Sequence, residues 1–345
     1  MAREKVLTTV AEDEDRKKVD AALRPKLLAE VIGQKKVAER LEIAVRASKK
    51  LKEPLGHILF DGPPGLGKTT FATVIPNELG TTLQTTSGPA LSKPADLLPF
   101  LTNLDEGSVL FIDEIHRMPR VVEEFIYPAM EDFRIDIVLG EGMSARTISM
   151  QLKRFTLIGA TTRSGMLSGP MRDRFKMHEH LEFYTTEELA TIVRVNAAKL
   201  STPITADAAH EIAHRSRGTP RVANSRLHWA RSYAAAKHEG AITEEIARSA
   251  LDMAEVDRDG LDKNDRKYLQ VLIDTFLGGP TGVEALAATL NLATDTLAEE
   301  IEPYLLREEY ITRSPRGRVA MPKAYQVLGR RVPKAKNESG PGLFE

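Results

Sequence analysis

The chain contains no cysteine, a single tryptophan and only 6% aromatic residues over 345 positions. Without cysteine there is no disulfide framework and no thiolate metal site, which fits a reducing compartment. No apolar run approaches the roughly twenty residues that a bilayer span needs. The opening "MAREKVLTTVAEDEDRKKVDAAL" lacks a signal-peptide core, so the expectation is a soluble, cytoplasmic protein with no membrane partner. Neither sign of charge is in excess: 48 basic residues face 49 acidic ones, a net charge of −1. The molecule as a whole is therefore not a polycation wrapped on nucleic acid, and any phosphate-backbone contact must come from a local patch. Hydrophobic residues, by contrast, make up 42% of the chain. At this length that supplies more than one core, and two or three domains are expected.

Patterning divides the chain unevenly. Residues 1–20 are charged and unpatterned and read as a mobile tail. Over 21–184, helical patterns alternate with the apolar runs "HILFDG", "SVLFIDEIHR" and "FTLIGATTR". Strands without polar alternation predict an α/β fold with a parallel sheet covered on both faces. Residues 185–256 read as helical throughout, with Thr186 and Thr243 as expected N-caps. Over 257–330 three short helices precede two strands around "SPRG", and 331–345 form a basic tail. No repeat of solenoid period is present.

The stretch "FDGPPGLGKTTFA" satisfies G-x-x-x-x-G-K-[ST] through Gly62, Gly67, Lys68 and Thr69, after a strand and before a helix. Glycines let backbone N–H groups wrap a polyphosphate, and the helix N-terminus adds partial positive charge. Lys68 is placed to reach the β and γ phosphates of ATP, with the Thr69 hydroxyl on Mg²⁺ and Thr70 near the α or β phosphate. The strand "VLFID" ends in Asp113 and Glu114, which suits one carboxylate for the Mg²⁺ shell and one to orient or deprotonate the attacking water. A third strand ends in Thr161 and Thr162; of the two, Thr162 is expected to hold the water or the γ phosphate. Alone, an acidic pair or a Thr-Thr strand end would be structural. Arg172 and Arg174 follow before the domain ends, where one of them could act as a finger in a neighbouring site. Arg221, at a helix start in "RGTPRVAN", could reach back to the nucleotide.

With "LRPKLLAEVIGQ", "GPPGLGKTT", "TTSGPAL", "LFIDEIHR", "YPAMEDF", "LIGATTR", "RDRF", "RGTPR" and "RSPRGR" in this order, the chain resembles the RuvB family from about Ala22 to Gly329. The resemblance implies an AAA+ P-loop core, a small all-α lid and a C-terminal winged-helix head. It also implies hexameric rings that move Holliday junctions along double-stranded DNA with the RuvA junction-binding subunit, and with RuvC resolvase as a further partner. By the same resemblance Leu23, Arg24, Glu131, Asp132, Phe133 and Tyr184 contact nucleotide; Gly65 and Gly67 belong to the phosphate loop, and Arg174 of the adjacent subunit is read as the finger. Two departures stand out. "SRLHWARSYAAAKHEG" replaces a leucine- and arginine-rich helix, and Asp61 stands where an apolar residue is commoner.

In the last domain, Val283, Leu286, Ala287 and Leu290 share one helical face, as do Leu297, Ile301, Tyr304 and Leu305. "YITR" and "RVAM" flank a tight turn and make a wing. Arg313, Arg316 and Arg318 decorate it, and between Tyr310 and Asn337 there are eight basic residues and no acidic one. That patch is the expected footprint of a phosphate backbone, read without regard to sequence. "FRIDIVLGEGMSARTISMQL" alternates on both sides of a Gly-Glu-Gly turn and predicts a β-hairpin. The resemblance makes it the partner-docking element, with Ile148 and Met150 as its outer residues. Two rival functions remain at this level. A protein unfoldase would show an aromatic-apolar-Gly pore loop, which "TTSGPALSKPADLLPFL" lacks. A nucleotide-gated switch or clamp loader would bind DNA without sustained turnover.

Overall fold

A computed structural model describes residues 22–139, 146–237 and 240–333. The chain divides into two compact units, the second beginning at Leu251. The two tails expected from the sequence lie almost wholly outside the described residues, as does the Gly140–Gly142 turn. Among the described residues no helix is long and apolar enough to cross a membrane.

The first unit is built on a sheet whose central strands are apolar and buried. β1 (Ile58–Asp61), β2 (Leu83–Ser87), β3 (Val109–Asp113), β6 (Thr156–Thr161) and β7 (Met177–His180) form one sheet in the order β2-β3-β6-β1-β7. All its pairings are parallel. The three central strands bury nearly every residue, as a sheet covered on both faces requires. The edge strands "LQTTS" and "MHEH" are polar and only partly covered, which also keeps the sheet from pairing outward. Register aligns the carboxyl ends: Asp61 lies opposite Thr161, and Ser87 opposite Asp113. Phe60 on β1 stacks on Phe71 of the helix Lys68–Leu79 with centroids 5.5 Å apart. Such a pair adds about 1 kcal/mol beyond its burial and fixes the helix that follows the glycine loop against the sheet.

β4 (Arg134–Leu139) and β5 (Arg146–Gln151) form the separate antiparallel ribbon that alternation predicts. Ile135 pairs with Met150, and Ile137 with Ile148. The ribbon runs off the domain: Ile135 is fully buried, Ile137, Met150 and Leu152 lean on the core, and Ile148 is 50% exposed. Met150 is therefore not an outer residue. It sits nearer the base of the ribbon, where apolar surface is already covered by the domain's own core.

After β7, the helices Thr186–Lys199, Ala206–His214, Pro220–Lys237 and Glu244–Met253 follow. The first is capped by Thr185 rather than Thr186. The Thr185 hydroxyl accepts from the Glu188 N–H at 3.2 Å, and Glu188 Oε2 accepts from the Thr185 N–H at 3.0 Å, a reciprocal capping box. The atypical helix is intact through Trp229, whose indole N–H donates to the Ala250 carbonyl at 2.6 Å.

The second unit packs the helices Lys263–Gln270, Val283–Leu290 and Glu302–Arg307 around Tyr268, Leu286, Leu305 and Tyr310. β8 (Ile311–Ser314) and β9 (Gly317–Ala320) form the wing, and Thr281 bridges Arg318 at its edge. A further helix, Pro322–Val327, follows the wing, where the sequence suggested only a path to the tail. Proline at its start is the signal that marks it.

Candidate active site

The glycine loop leaves β1 through Gly62, Gly65 and Gly67, all at positive φ (133°, 79° and 107°). A Cβ on Gly65 would lie 2.7 Å from Thr219 Cγ2 and 3.0 Å from Arg221 Cβ. Only glycine lets the loop and the "RGTPR" segment approach this closely. Arg221 N–H points at the Gly65 carbonyl at 3.4 Å, and the Tyr184 hydroxyl donates to the Leu66 carbonyl at 3.2 Å. Burial pushes the Tyr184 phenol up to about 12, so it stays a neutral donor. The helical segment thus touches the loop through Tyr184, Thr219 and Arg221.

Lys68 is only 6% exposed, and its Nζ donates to the carbonyls of Gly62 (2.6 Å) and Pro63 (2.9 Å). Burial lowers its pKa, while the carboxylates of Glu114, Asp113 and Asp61 oppose that shift. Thr69 and Thr70 stand half-buried in the first turn behind it. At the end of β3, Asp113 Oδ1 accepts from the Glu114 N–H at 2.9 Å. Glu114 is held in the left-handed region at φ 46°, ψ 46°, which costs an L-residue about 1–2 kcal/mol. The backbone here is closely packed: a Cβ on Gly88 would lie 2.3 Å from the Glu114 carbonyl oxygen. The glycine of "TTSGPAL" is thereby explained as a close approach rather than a chemical group.

The Glu114 side chain is also held. Its Oε2 accepts from the Thr162 hydroxyl at 3.2 Å and lies 3.2 Å from His116 Nδ1. His116 Nδ1 is 2.9 Å from Thr161 Oγ1, which accepts the Arg163 N–H at 3.0 Å. Lys68, Asp113, Glu114 and Thr162 are therefore brought together. His116 and Gly88 were missed, since nothing in the sequence distinguishes them from neighbouring structural residues. Among the described residues no three His, Cys, Asp or Glu side chains gather as a ready-made metal cage. One carboxylate, Asp113, and one hydroxyl, Thr69, beside a phosphate loop fit a hard cation that takes its remaining oxygens from substrate and water.

A second group lies elsewhere. The Arg174 guanidinium stacks 3.9 Å over the Tyr127 ring, its Nη2 is 3.0 Å from Glu131 Oε1, and its Nη1 donates to the Pro170 carbonyl at 2.7 Å. Arg174 Nε is buried without a partner. Glu131 and Asp132 are exposed, and Phe133 packs edge-on against His57 and Phe155. His57 immediately precedes β1, and its carbonyl accepts the N–H groups of Lys176 and Met177 at the start of β7. This cluster sits at the amino ends of the strands, whereas Lys68 follows the carboxyl end of β1. A strand of four residues separates the two by roughly 10 Å or more. Arg174, Glu131, Asp132 and Phe133 are thus not brought to the chain's own glycine loop. Leu23 is buried, its carbonyl accepting from Lys199 Nζ at 2.9 Å, and Arg24 is exposed.

In the second unit, the wing arginines correct the expectation. Glu302 is fully buried and accepts from Arg318 Nε (3.0 Å), Arg313 Nη2 (2.6 Å) and the Tyr268 hydroxyl (3.1 Å). Arg318, only 18% exposed, is committed to this carboxylate and is not a free phosphate ligand. Arg313 shares the carboxylate but keeps about half its surface in solvent. Arg316 is exposed at the turn and has no ion-pair partner among the described residues.

β6, with its hydroxyl tip, stands between the strand that feeds the phosphate loop and the strand that ends in the acidic pair, and a helical segment closes on the loop from the side. That combination defines an AAA+ P-loop ATPase. The chain belongs to the RuvB family. Residues 23–181 match the Holliday junction DNA helicase RuvB P-loop domain, 184–257 the RuvB AAA lid domain and 258–329 the RuvB C-terminal winged helix domain. The Holliday junction branch migration complex subunit RuvB of Rhodopirellula baltica is 57% identical over 314 residues, covering 91% of this chain and 86% of that protein. The solved Thermotoga maritima RuvB Holliday junction branch migration motor is 44% identical, covers 90% of this chain and 100% of its own, and superposes with a TM-score of 0.83. A lysine-to-arginine variant of that protein gives 45% and 0.84, covering 90% of this chain and 99% of its own.

Proposed function

We propose that this protein is an ATP-driven translocase on double-stranded DNA that moves Holliday junctions as a hexameric ring, acting with RuvA. The observation that carries the ring is the split of the catalytic set. Lys68, Asp113, Glu114 and Thr162 converge at the carboxyl ends of the sheet, while Arg174 is held ready at the amino ends. An arginine in that place can complete only a neighbour's site, and a closed ring supplies every site with one. Glu131, Asp132 and Phe133 on the same edge would meet the neighbour's nucleotide, and Leu23, Arg24, Tyr184 and Arg221 the chain's own.

In this mechanism Lys68 exchanges the Gly62 and Pro63 carbonyls for the β and γ phosphate oxygens, and the loop N–H groups with Gly65 and Gly67 cradle the chain of phosphates. Thr70 backs the α or β phosphate. Thr69 and Asp113 would hold Mg²⁺, which supplies charge neutralisation at the phosphates when bound. Glu114 takes a proton from the attacking water, and Thr162 holds that water in line. Arg174 of the adjacent subunit stabilises the charge that develops on the transferred phosphoryl group.

The domain reading is a large ATPase domain over 21–184, a lid over 185–256 and a DNA-binding head over 257–330. Arg316 and the half-exposed Arg313 present charge to the duplex backbone, and Ile148 on the exposed part of the ribbon is the docking residue for RuvA. A cytoplasmic location accompanies work on chromosomal junctions, and RuvC resolvase acts on the junction so moved. Steady-state ATP hydrolysis with and without duplex tests the whole. Sustained stimulation by duplex is expected, and Glu114→Gln should bind ATP normally while hydrolysis falls about 10²- to 10⁴-fold. A single burst without DNA-stimulated turnover would replace the translocase by a nucleotide-gated switch.

A further inference from the structure

Glu114 acts as a base only if its carboxylate is aimed, and two side chains stand against the same oxygen of it. Thr162 is one, 3.2 Å from Oε2, and it also faces the reacting water in the mechanism above. The other is His116, which the mechanism does not use. Its side chain is 2% exposed, and a single ring nitrogen, Nδ1, stands 3.2 Å from Glu114 Oε2 and 2.9 Å from Thr161 Oγ1. Two oxygens flank that nitrogen, and one belongs to a carboxylate that can only accept. The arrangement that leaves no lone pair facing the carboxylate puts the hydrogen on Nδ1. Thr161 in turn is fixed by the Arg163 N–H, at 3.0 Å, and by its place at the buried end of β6.

From this geometry we infer that His116 is a positioning residue for the catalytic base: its Nδ1–H anchors Glu114 Oε2 from the protein side, leaving the other carboxylate oxygen to take the proton from water. The surroundings of Glu114 give the reason an anchor is needed. Gly88 packs against the Glu114 carbonyl and not its carboxylate, so the side chain's direction is left to the groups around Oε2. When Thr162 turns to the water, His116 is the donor that remains. The inference rests on the assignment of Glu114 as the base.

Three substitutions separate the donor from the bulk. His116→Asn places an amide N–H where Nδ1 stood, His116→Leu has the same branching without a donor, and His116→Gln moves the donor to the Nε2 position. Loss of a supporting hydrogen bond of this kind costs about 10- to 100-fold in activity. The Leu and Gln variants should show that loss in kcat with KM for ATP and nucleotide affinity unchanged, and Asn should recover to within about threefold of the wild type. In single-turnover reactions with Glu114→Gln as background, His116→Leu should add nothing, because the group it aims is gone. Equal loss in the Asn and Leu variants, or the same further loss in the Glu114→Gln background, overturns the inference. If His116→Leu fails to fold, as thermal melting would reveal, the Asn and Gln pair still decides it: equal activity in these two also overturns it. Retained turnover in Glu114→Gln alone would overturn the assignment of the base and is read separately.

Discussion

His57 illustrates how a single buried ring can be tied to both its charge state and its neighbours. Its Nε2–H donates to the Met130 carbonyl at 2.9 Å, and its Nδ1 accepts from the Leu157 N–H at 2.8 Å. Only the neutral ring satisfies both. Burial is the main cause that lowers its pKa from the ordinary histidine value, with the Lys176 charge adding to it. A folded-state pKa below the unfolded one means that the unfolded chain binds the extra proton first. The stability is therefore present above about pH 6.5 and is lost as pH falls from there through the folded pKa. Unfolding free energies measured from pH 7 to pH 5 should fall with a contribution of up to about 1.4 kcal/mol per pH unit from this ring. His57→Gln should be less stable at pH 7, because the Leu157 N–H loses its acceptor, yet shallower over that interval. An unchanged slope would assign the acid sensitivity to other groups. Nothing in "GHILFDG" betrays this role, since the partners of His57 lie 73 and 100 residues away.

At the scale of elements, the wing shows what a charge pattern conceals. Its strands, turn and arginines were legible from "YITRSPRGRVAM". The partner that claims two of those arginines was not, because Glu302 lies 11 and 16 residues upstream on a helix and reads there as a solvated acid. Arg318→Ala should cost roughly 3 kcal/mol or more in unfolding of the head, since it leaves a buried carboxylate short of charge. Arg316→Ala should leave the melting temperature unchanged and lower the salt-dependence slope of duplex binding by about 0.9, one phosphate contact. Melting curves and fluorescence anisotropy against salt distinguish the two, and an unaltered slope for Arg316→Ala would move the DNA contact off the wing. The same limit on legibility applies to the sheet. The central strands announced themselves as apolar runs, while "LQTTS" and "MHEH" are polar because an edge strand is covered by fewer neighbours. The ribbon's alternation was readable, but where it leaves the core was not, and Met150 was misplaced for that reason.

For the whole molecule, the contrast is between chemistry carried by contiguous residues and chemistry gathered by folding. Phosphate cradling needs glycines, a lysine and a hydroxyl in one unbroken stretch, so Gly62 to Thr70 is visible in any reading of the chain. Arg174 needs Tyr127 beneath it and Glu131 beside it, contacts that span 40-odd residues and exist only in the fold. Mixing tests the division this creates. Lys68→Ala and Arg174→Ala chains, each inactive alone, should regain ATP hydrolysis when combined, because some interfaces then pair an intact loop with an intact finger. No recovery at any ratio, with mixed rings demonstrated by sedimentation, would return Arg174 to its own subunit.

The split site also bears on how a cell can store such a protein. A subunit by itself carries a glycine loop at one end of its sheet and, at the other, an arginine held on Tyr127, which under the proposed mechanism its own nucleotide never meets. On the proposed mechanism, abundance alone would cause no futile loss of ATP. A standing pool would wait, charged and idle, and fuel would be consumed in proportion to the number of rings closed on DNA rather than to the amount of protein made.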